Sequence, residues 1–441
     1  MSTDYLNAPI DPTSAERLAA QGLDLAVVDT SDRERFTIWL QAEARGFNSP
    51  RSTDDAITSQ LTGLADRRST GVWDPTAADP ASPISTVSSW PTELTVPGET
   101  SVTAWAISAV TVAPTHRRRG IARAMLESEL RTAAALGVPV AMLTVSEATI
   151  YARYGFAPAA MMADWQIDSR RADWSGPVAS GRLHFISLEQ LKDQGLALVE
   201  SVRLNTPGQM EFSGYLWERI TGLTGERNET AKNLRVVRYD DEDGVPQGFV
   251  VYQLKAHERD FALHTLTVEY LVAATDEAYA ALWRYLIEHD LVSTIKAPLR
   301  STDEPVAWQV GNYRAVHKVI ESDHLWTRIL DVPAALEARS YGAGGKIVLE
   351  VIDPLGFAAG RFLLDIYEDG TAVVDVFDEA VPDDAAAVAL TVNELSALYL
   401  GGVSAVTLVR AGRITELTQD AALGVDAAFS SSVAPWLSIW F

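Results

Sequence analysis

The sequence predicts an α/β fold, and two observations along the chain predict it. The first is a strand, a loop, an amphipathic helix and a second strand in that order between Ser101 and Val145. Because a helix that joins two apolar strands lets them lie side by side in parallel, this order indicates a βαβ unit. The second is the return of the same strand–helix–strand order between Leu263 and Lys296, which indicates a degenerate duplicate of the first fold.

The elements of the first unit follow from residue type and spacing. Ser101–Val112 is rich in Ala, Thr, Val and Ile, which is typical of a buried strand. Ile121–Leu136 carries apolar residues at helical spacing, and Gly137 ends this helix. Val138–Val145 is a second apolar strand. Before this unit we predict helices at Asp32–Ala44 and Thr53–Ala65, and a loop with one or two strands at Trp73–Pro97.

The middle and last parts of the chain again contain alternating elements. In the middle part we predict strands at Leu234–Tyr239, Gly248–Lys255, Leu263–Ala273 and Val292–Lys296, and a helix at Asp276–His289. From about residue 325 we predict helices at Val332–Ala338 and Val392–Leu400 and strands at Gly345–Ile352, Gly360–Tyr367 and Gly370–Phe377. The chain ends in an apolar segment, Ala434–Phe441.

Length and charge limit what the protein can be. With 441 residues, a mass of 47.9 kDa and 47% hydrophobic residues, the chain has the composition of a globular protein. That length suits about two to four domains. The 36 Lys and Arg against 59 Asp and Glu give a net charge of −23. Because a negative field repels nucleic acid and attracts cations, we expect no nucleic-acid partner and favour a cationic substrate.

Several kinds of site are excluded by residues that the sequence lacks. It contains no cysteine, which excludes disulfides, cysteine-based metal sites and thiol nucleophiles. The seven histidines have no metal-binding spacing, so we expect no metal. There is neither a secretory signal pattern nor an apolar run of about 18 residues. These absences favour a soluble cytoplasmic protein without a membrane span.

The candidate ligand site is the segment Val110–Ala122, VTVAPTHRRRGIA. Here a strand ends, Pro114 turns the chain, and three arginines precede Gly120 and the start of a helix. Free backbone N–H groups at a helix N-terminus favour an anion, and arginines add donors. Gly120 would allow a phosphate to approach the backbone closely. The alternative is a solvated basic loop, and charge alone does not decide between the two.

Two motifs resemble those of the GNAT-type N-acetyltransferases, which bind acetyl-CoA. Arg117–Ala122 is similar to the R-x-x-G-x-A pyrophosphate loop of these enzymes. Ser146–Phe156, SEATIYARYGF, is similar to their Y-x-x-x-G-F segment. Both motifs, the length of the chain and the final Phe441 also resemble one branch, the Eis (enhanced intracellular survival) family of aminoglycoside acetyltransferases.

The resemblance to the Eis family implies an architecture of three domains. We expect a GNAT domain with an acetyl-CoA site at residues 1–168 and a second GNAT-like domain without a cofactor loop at residues 169–324. A domain like sterol carrier proteins is expected at residues 325–441. The family also implies a homohexamer, built as a dimer of trimers.

The same resemblance assigns the acid and the base. Tyr151 matches the position of the family's general acid, and a phenol is a suitable donor to a leaving thiolate. The implied general base is the terminal carboxylate of Phe441. The apolar C-terminal segment supports burial of this end, and a carboxylate removed from water is a stronger base. From the residues alone, Tyr151 could be a packed tyrosine and the end of the chain a closing edge strand.

The acceptor implied by the family is an amine of an aminoglycoside or of a similar polycation, which would connect the protein with antibiotic resistance. Trp440 departs from the acidic residue expected at its position, and Trp39, Phe47 and Trp105 are candidates for aromatic pocket walls. The alternative is a non-catalytic protein that binds acyl-CoA or a lipid. The residues expected to bind acetyl-CoA are Val110, Thr111, Val112, Arg118, Arg119, Gly120, Ile121, Ala122, Arg123, Ser146 and Glu147.

Overall fold

The computed structural model describes residues 3–223 and 231–441. The chain divides into two compact units. Unit 1 comprises Met1–Ala159, Leu325–Ser432 and Phe441, and unit 2 comprises Ala160–His324 and Val433–Trp440. Within the described ranges, every helix is too short or too polar to span a bilayer. Sequence order and spatial order therefore differ, since the two ends of the chain build unit 1 together.

Strands and helices alternate along the whole chain. The first part contains β1 (Asp24–Val28), β2 (Arg68–Trp73), β3 (Ser85–Val96), β4 (Thr100–Val112), β5 (Val140–Thr144) and β6 (Ala157–Asp168). Its helices are α1 (Pro12–Ala19), α2 (Arg33–Gly46), α3 (Asp54–Gly63), α4 (Ile121–Ala135), α5 (Ala148–Tyr151) and α6 (Ser169–Ala172).

The middle part contains six further strands and three described helices. The strands are β7 (Arg182–Ile186), β8 (Leu234–Asp240), β9 (Pro246–Lys255), β10 (His264–Ala273), β11 (Val292–Arg300) and β12 (Val316–Ile329). The helices are α7 (Leu188–Arg203), α8 (Gly214–Thr221) and α9 (Asp276–Ile287).

The last part forms its own sheet. Its strands are β13 (Gly345–Ile352), β14 (Gly360–Ile366), β15 (Ala372–Val376), β16 (Ala385–Thr391) and β17 (Thr415–Glu416), in the spatial order β15-β14-β13-β16-β17. Its helices are α10 (Val332–Glu337), α11 (Val392–Leu398), α12 (Ala405–Arg410) and α13 (Ala421–Phe429).

Unit 1 contains the predicted βαβ unit. Its first sheet has the strand order β1-β2-β3-β4-β5-β12, and the neighbours are antiparallel except β4 and β5. These two pair in parallel from Ala104↔Val140 to Ala106↔Met142. The end of β12, Leu325–Ile329, completes the sheet beside β5. Helix α4 connects β4 to β5, and its buried Met125 and Leu130 belong to the core of this sheet.

Unit 2 repeats this topology. Its strand order is β7-β8-β9-β10-β11-β6, and only β10 and β11 are parallel. Helix α9 connects this parallel pair and buries Leu282, Trp283 and Leu286 in the core. A strand distant in sequence again completes the sheet, because Ala163–Asp168 of β6 pairs with β11. The two sheets thus have the same sequence of strand directions, as the predicted duplication requires.

Three features of the fold differ from the prediction. β3 is one 12-residue strand that covers about half of a segment predicted to be loop with one or two strands, because its residues pair along almost the whole of β4. β12 was not predicted, because its first half, VHKVIES, mixes apolar and polar residues without a regular alternation. The residues after Phe429 form no regular helix or strand, so the end of the chain is not a closing edge strand. The predicted domain limits 1–168, 169–324 and 325–441 stay predictions.

Candidate active site

The site is built where β4 and β5 of unit 1 separate. Ala109 has a φ of 53°, and the register of β4 against β3 shifts at this point, which marks a β-bulge. Parallel pairing with β5 ends at Ala106, so the two strands diverge toward their carboxyl ends. At this end of β4, Ser108, Ala109, Val110 and Val112 are partly accessible, whereas Thr111 is buried. Such a strand edge can pair with an extended ligand that carries amide groups.

Helix α4 begins at this opening with free backbone donors. Its N-cap is Gly120, with a φ of 75°, and no side chain caps it. The first intrahelical hydrogen bond runs from the N–H of Ala124 to the carbonyl of Gly120 at 3.0 Å, and the first turn contains no acidic residue. A Cβ atom added to Gly120 would meet no atom within 4 Å. An anion could therefore approach these N–H groups directly.

The arginines around the helix start differ in their contacts. Arg117 and Arg118 have no hydrogen bond or ion pair with any described residue, and Arg118 has a φ of 64°. The Arg119 guanidinium instead lies 3.8 Å from Asp74 and 3.4 Å from the carbonyl of Gln21. The N–H donors of Arg117 and Arg118 are therefore available for a ligand, whereas those of Arg119 contact Asp74 and Gln21 and help to fix the arginine loop.

Asp74 holds the arginine loop from outside. It accepts hydrogen bonds from the N–H and the hydroxyl of Thr76, at 2.9 and 2.6 Å, and its Oδ2 lies 3.1 Å from Nε2 of His116. The Thr76 hydrogen bonds, followed by that of His116, lower the pKa of Asp74 to about 2. A charged carboxylate thus faces His116 and Arg119 at any physiological pH. The contact with Asp74 accounts for the absence of Arg119 from the cavity wall at the helix start.

A cavity of 990 Å³ lies against the helix start and the end of β4. The structure brings ten of the eleven residues predicted to bind acetyl-CoA to its wall, and Arg119 is the exception. The sequence motifs did not indicate Pro354 and Leu355, which line the same cavity from the loop after β13. Arg117, the first residue of the predicted pyrophosphate loop, also lines the cavity. The lining residues to which we assigned no role from the sequence are Gly46, His116, Glu127, Thr149, Ile150, Arg153 and Tyr154.

Tyr151 lines this cavity at the end of the short helix α5. It is buried, and its ring makes an edge-to-face contact with Phe156 at 6.3 Å. Burial raises the pKa of Tyr151 to about 12; the charge of Glu147 adds to this rise and a hydrogen bond with Ser146 opposes it. The phenol therefore stays protonated at neutral pH and can act as a hydrogen-bond donor.

Phe441 lies at the carboxyl end of β5. The hydroxyl of Thr144, the last residue of β5, donates to the Phe441 oxygen at 3.3 Å, and the Phe441 ring contacts Trp90 edge-to-face at 5.7 Å. Phe441 is not part of the cavity wall. Ser146, which does line the cavity, follows Thr144 by two positions. The end of β5 therefore connects Phe441 to the cavity wall at Ser146.

The three candidate aromatic wall residues have different positions. Trp39 is buried and donates from Nε1 to the carbonyl of Thr70 at 2.8 Å. Trp105 is also buried, with Nε1 3.3 Å from Glu129. Phe47 alone lines the cavity, with 46% of its surface exposed. Trp39 and Trp105 are therefore core residues.

Known proteins resemble the chain in the same regions. Residues 28–159 and 208–329 each match an acetyltransferase (GNAT) domain, and residues 332–438 match a sterol carrier protein domain. An uncharacterized N-acetyltransferase of Streptomyces avermitilis is 35% identical over 93% of this chain and 96% of its own length. The N-acetyltransferase Eis of Mycobacterium tuberculosis is 33% identical over 77% of this chain and 81% of its own length. This chain belongs to the Eis family of N-acetyltransferases.

Solved structures extend this relationship to the fold of this Eis-family protein. The crystal structure of Eis1 from Mycobacterium abscessus has a TM-score of 0.79 at 28% identity, covering 95% of this chain and all of that one. A GCN5-related N-acetyltransferase from Anabaena variabilis has the same TM-score at 19% identity over 95% of this chain and 100% of its own, which shows the fold alone. Two GNAT domains and a domain like sterol carrier proteins are thus confirmed. The protein is an acetyltransferase enzyme, and GNAT acetyltransferases take acetyl-CoA as co-substrate.

Proposed function

We propose that this Eis-family enzyme transfers the acetyl group of acetyl-CoA to amines of aminoglycosides or of similar polycations. One observation carries the proposal. A single cavity combines an uncapped helix start, a buried protonated phenol, Tyr151, and two arginines, Arg117 and Arg118, that have no side-chain partner among the described residues. A helix start with free arginines suits a diphosphate, and a phenol suits a leaving thiolate.

The proposed binding mode follows the shape of the cavity. The diphosphate of CoA binds the N–H groups of Ile121–Arg123 together with Arg118. The pantetheine arm pairs with the open edge of β4 at Val110–Val112, and the thioester lies beside Ser146 and Glu147. The exposed guanidinium of Arg123 already contacts Glu127 at 2.6 Å, so we assign it a smaller part. The contacts of Arg119 with Asp74 favour a supporting part in the loop over a direct one.

The chemical step requires an acid and a base. The amine nitrogen attacks the thioester carbonyl, a C–N bond forms and the C–S bond breaks. Because an alkylammonium has a pKa of ~10, the acceptor amine must lose a proton before it can attack. We assign the removal of this proton to the carboxylate of Phe441, which acts as the general base. Tyr151 donates its hydrogen bond, and then a proton, to the leaving sulfur, and solvent restores that proton. Since the phenol is protonated up to high pH, the donor is present under all ordinary conditions.

The acceptor class rests on charge. The chain has a net charge of −23, which attracts polycations such as aminoglycosides. Modification of these compounds would confer resistance to them. Trp440 is 45% exposed next to the terminal residue, so an aromatic surface stands where an acidic one was expected from the family. The homohexamer and the cytoplasmic location stay predictions from the family resemblance and the sequence.

A thiol-release assay with acetyl-CoA and kanamycin or neomycin tests the proposal. We expect turnover with the native chain and its loss in Tyr151→Ala and in a chain with one glycine appended after Phe441. The appended residue moves the carboxylate by about 3.5 Å while leaving every other side chain intact. Full activity of the extended chain would refute Phe441 as the base. Binding of acetyl-CoA without transfer to any amine would instead support a non-catalytic sensor.

A further inference from the structure

Unit 2 has a second cleft at the position that corresponds to the cavity of unit 1. The parallel pairing of β10 with β11 ends at Thr267↔Lys296, and the register of β10 against β9 shifts between Val268 and Tyr270. The two strands then diverge, as β4 and β5 do. A cavity of only 160 Å³ remains between them.

The chain's own C-terminal segment occupies this cleft. The indole N–H of Trp436 donates to the carbonyl of Leu299 in β11 at 3.0 Å. Arg300 donates from Nη1 to the carbonyl of Leu271 in β10 at 3.0 Å, and its guanidinium lies 4.8 Å from the centre of the Trp436 ring. Strand-edge carbonyls that would be open in a ligand cleft therefore have partners here.

Gln209 holds the C-terminal segment with both ends of its amide. Its Nε2 donates to the carbonyl of Trp436 at 2.8 Å, and its Oε1 accepts from the hydroxyl of Ser438 at 2.8 Å. The N–H of Trp436 donates to the carbonyl of Pro207 at 2.9 Å. Ser438 also forms a hydrogen bond with Tyr270. Four hydrogen bonds thus fix alternate residues of a segment that has no secondary structure of its own.

His324 holds the segment closer to the terminus. Its side chain is fully buried, and Nε2 lies 2.8 Å from the carbonyl of Ile439. The ring also meets the Trp440 ring edge-to-face at 4.4 Å. Because burial lowers the pKa of His324 to about 4, its imidazole is neutral at physiological pH, and the contact with a carbonyl assigns its proton to Nε2. Ile439 precedes the terminal residue by only two positions.

We propose that Gln209, Tyr270, Arg300 and His324 form a tail socket that positions the carboxylate of Phe441 for proton transfer. This inference rests on the proposed function of Phe441 as the base. Terminal residues are usually frayed. Because a misplacement of a catalytic group by about 1 Å can lower the rate about 100-fold, a terminal carboxylate that acts as a base must be held in place. The second GNAT domain thus uses the cleft between its parallel strands to hold the end of its own chain, and the socket residues are positioning residues.

The proposal is tested by kinetics of a socket variant, His324→Ala, and a tail variant, Ser438→Ala, each made in the native chain and in a chain that lacks Phe441. We expect His324→Ala and the milder Ser438→Ala to lower kcat about 10- to 100-fold and to leave the KM for acetyl-CoA unchanged. In a chain that lacks Phe441, the terminal carboxylate belongs to Trp440 and is displaced by about 3.5 Å. The same substitutions should then cause no further loss, because the correctly placed carboxylate through which they act is absent. His324→Gln, which keeps a donor, should restore part of the activity. The exposed His317 on the same strand offers a control, and His317→Ala should have no effect.

A second measurement separates failure of the socket from failure of the proposed base. Release of Phe441 by a carboxypeptidase, followed by intact mass, reports how firmly the tail is held. Socket variants should lose this residue at least about tenfold faster than the native chain or His317→Ala. Equal rates would overturn the socket, as would an equal kcat loss in both backgrounds. Faster release together with full activity of the chain lacking Phe441 would keep the socket as a tail anchor, but would overturn both its catalytic positioning role and the terminal base.

Discussion

The two GNAT domains have the same topology, but the helices that connect their parallel strands begin differently: one start is uncapped and lacks acidic residues, and the other is capped and acidic. Helix α4 begins at Gly120, without a side-chain cap and without an acidic residue in its first turn. The corresponding helix α9 begins at Thr275, whose hydroxyl accepts from the N–H of Ala278 at 3.1 Å, and its first turn contains Asp276 and Glu277. A cap and two carboxylates fill the positive end of α9, so it has no need of an external anion.

Further contacts keep the second helix start filled. Glu277 accepts hydrogen bonds from the N–H and the hydroxyl of Ser180 and from the hydroxyl of Tyr239, and the Ser180 bonds are the main cause of its lowered pKa. The neighbouring cleft holds Trp436 and Ser438 of the same chain. We therefore expect this fold to bind acetyl-CoA only in unit 1, where the helix start and the strand edge are free of such contacts.

The largest effect should come from Tyr151, the proposed acid of the first domain. We expect Tyr151→Phe to lower kcat by about 10²–10⁴, the usual contribution of a positioned proton donor, while binding of acetyl-CoA stays the same. In unit 2 the short helix after β11, Pro305–Trp308, has no hydroxyl in an equivalent place and ends in the exposed Trp308. Trp308→Phe should therefore leave kcat unchanged in the same thiol-release assay.

The pH dependence of kcat tests the same residue. Since the pKa of Tyr151 is about 12, its protonated form persists beyond pH 10, and we expect no alkaline loss of kcat between pH 8 and 10 that depends on Tyr151. Tyr151→Phe should keep the shape of the native profile at a lower level. A native profile that falls with a midpoint near 10, and becomes flat in Tyr151→Phe, would contradict the buried donor. A large loss in Tyr154→Phe would move the assignment to that residue.

Local pattern predicted those parts of the site that are local in sequence. The helix Ile121–Ala135 and the strand Val140–Thr144 end within two residues of their predicted limits, because Gly120 and Gly137 bound the helix. The arginine loop and the Tyr151 segment line the same cavity, since parallel pairing of β4 with β5 places the carboxyl ends of these strands at one edge of the sheet.

Contacts between distant residues could not be predicted in this way. Leu325–Ile329 complete the sheet beside β5, some 180 positions earlier in the chain, and no periodicity records that pairing. No sequence pattern indicates that Pro354 and Leu355, which are distant in sequence from the other lining residues, belong to the cavity wall. Arg119 was expected to face the ligand because it stands in the arginine run, but its partner Asp74 lies 45 positions earlier.

Substitution of the arginines sharpens the contrast with the second domain. Arg118→Ala should raise the Kd for acetyl-CoA about 10- to 100-fold, because a hydrogen bond to a charged group is worth about 1.5–3 kcal/mol. Arg119→Ala should change it less than about fivefold, since Arg119 faces Asp74. Titration by isothermal calorimetry measures both. An equal loss of acetyl-CoA affinity in the two variants would show that Arg119 contacts the diphosphate directly.

The glycines at the two ends of α4 separate strain from ligand contact. Gly120 and Gly137 have φ values of 75° and 74°, and neither has an atom within 4 Å of an added Cβ. Each substitution by alanine should cost about 1–2 kcal/mol of unfolding free energy, because an L-residue is strained in this conformation. Only Gly120→Ala should also raise the Kd for acetyl-CoA, by about tenfold, because its Cβ atom would lie at the helix start where we propose that the diphosphate binds. Equal acetyl-CoA affinities of the two variants would place the diphosphate elsewhere.

The smallest effect concerns the carboxylates beside the two helix starts. Asp74→Asn should raise the KM for acetyl-CoA less than about fivefold, because it only loosens the arginine loop, while Glu277→Gln should not change it. Since the pKa of Asp74 falls from its usual 3.8 to about 2 in the folded protein, the charged form stabilises the fold above about pH 4. That contribution is lost as the pH falls from about 4 to 2. The difference in Tm between the native chain and Asp74→Asn should therefore stay constant from pH 7 to 5 and shrink below pH 4. A difference that persists at pH 2 would show that Asp74 does not act through its charge.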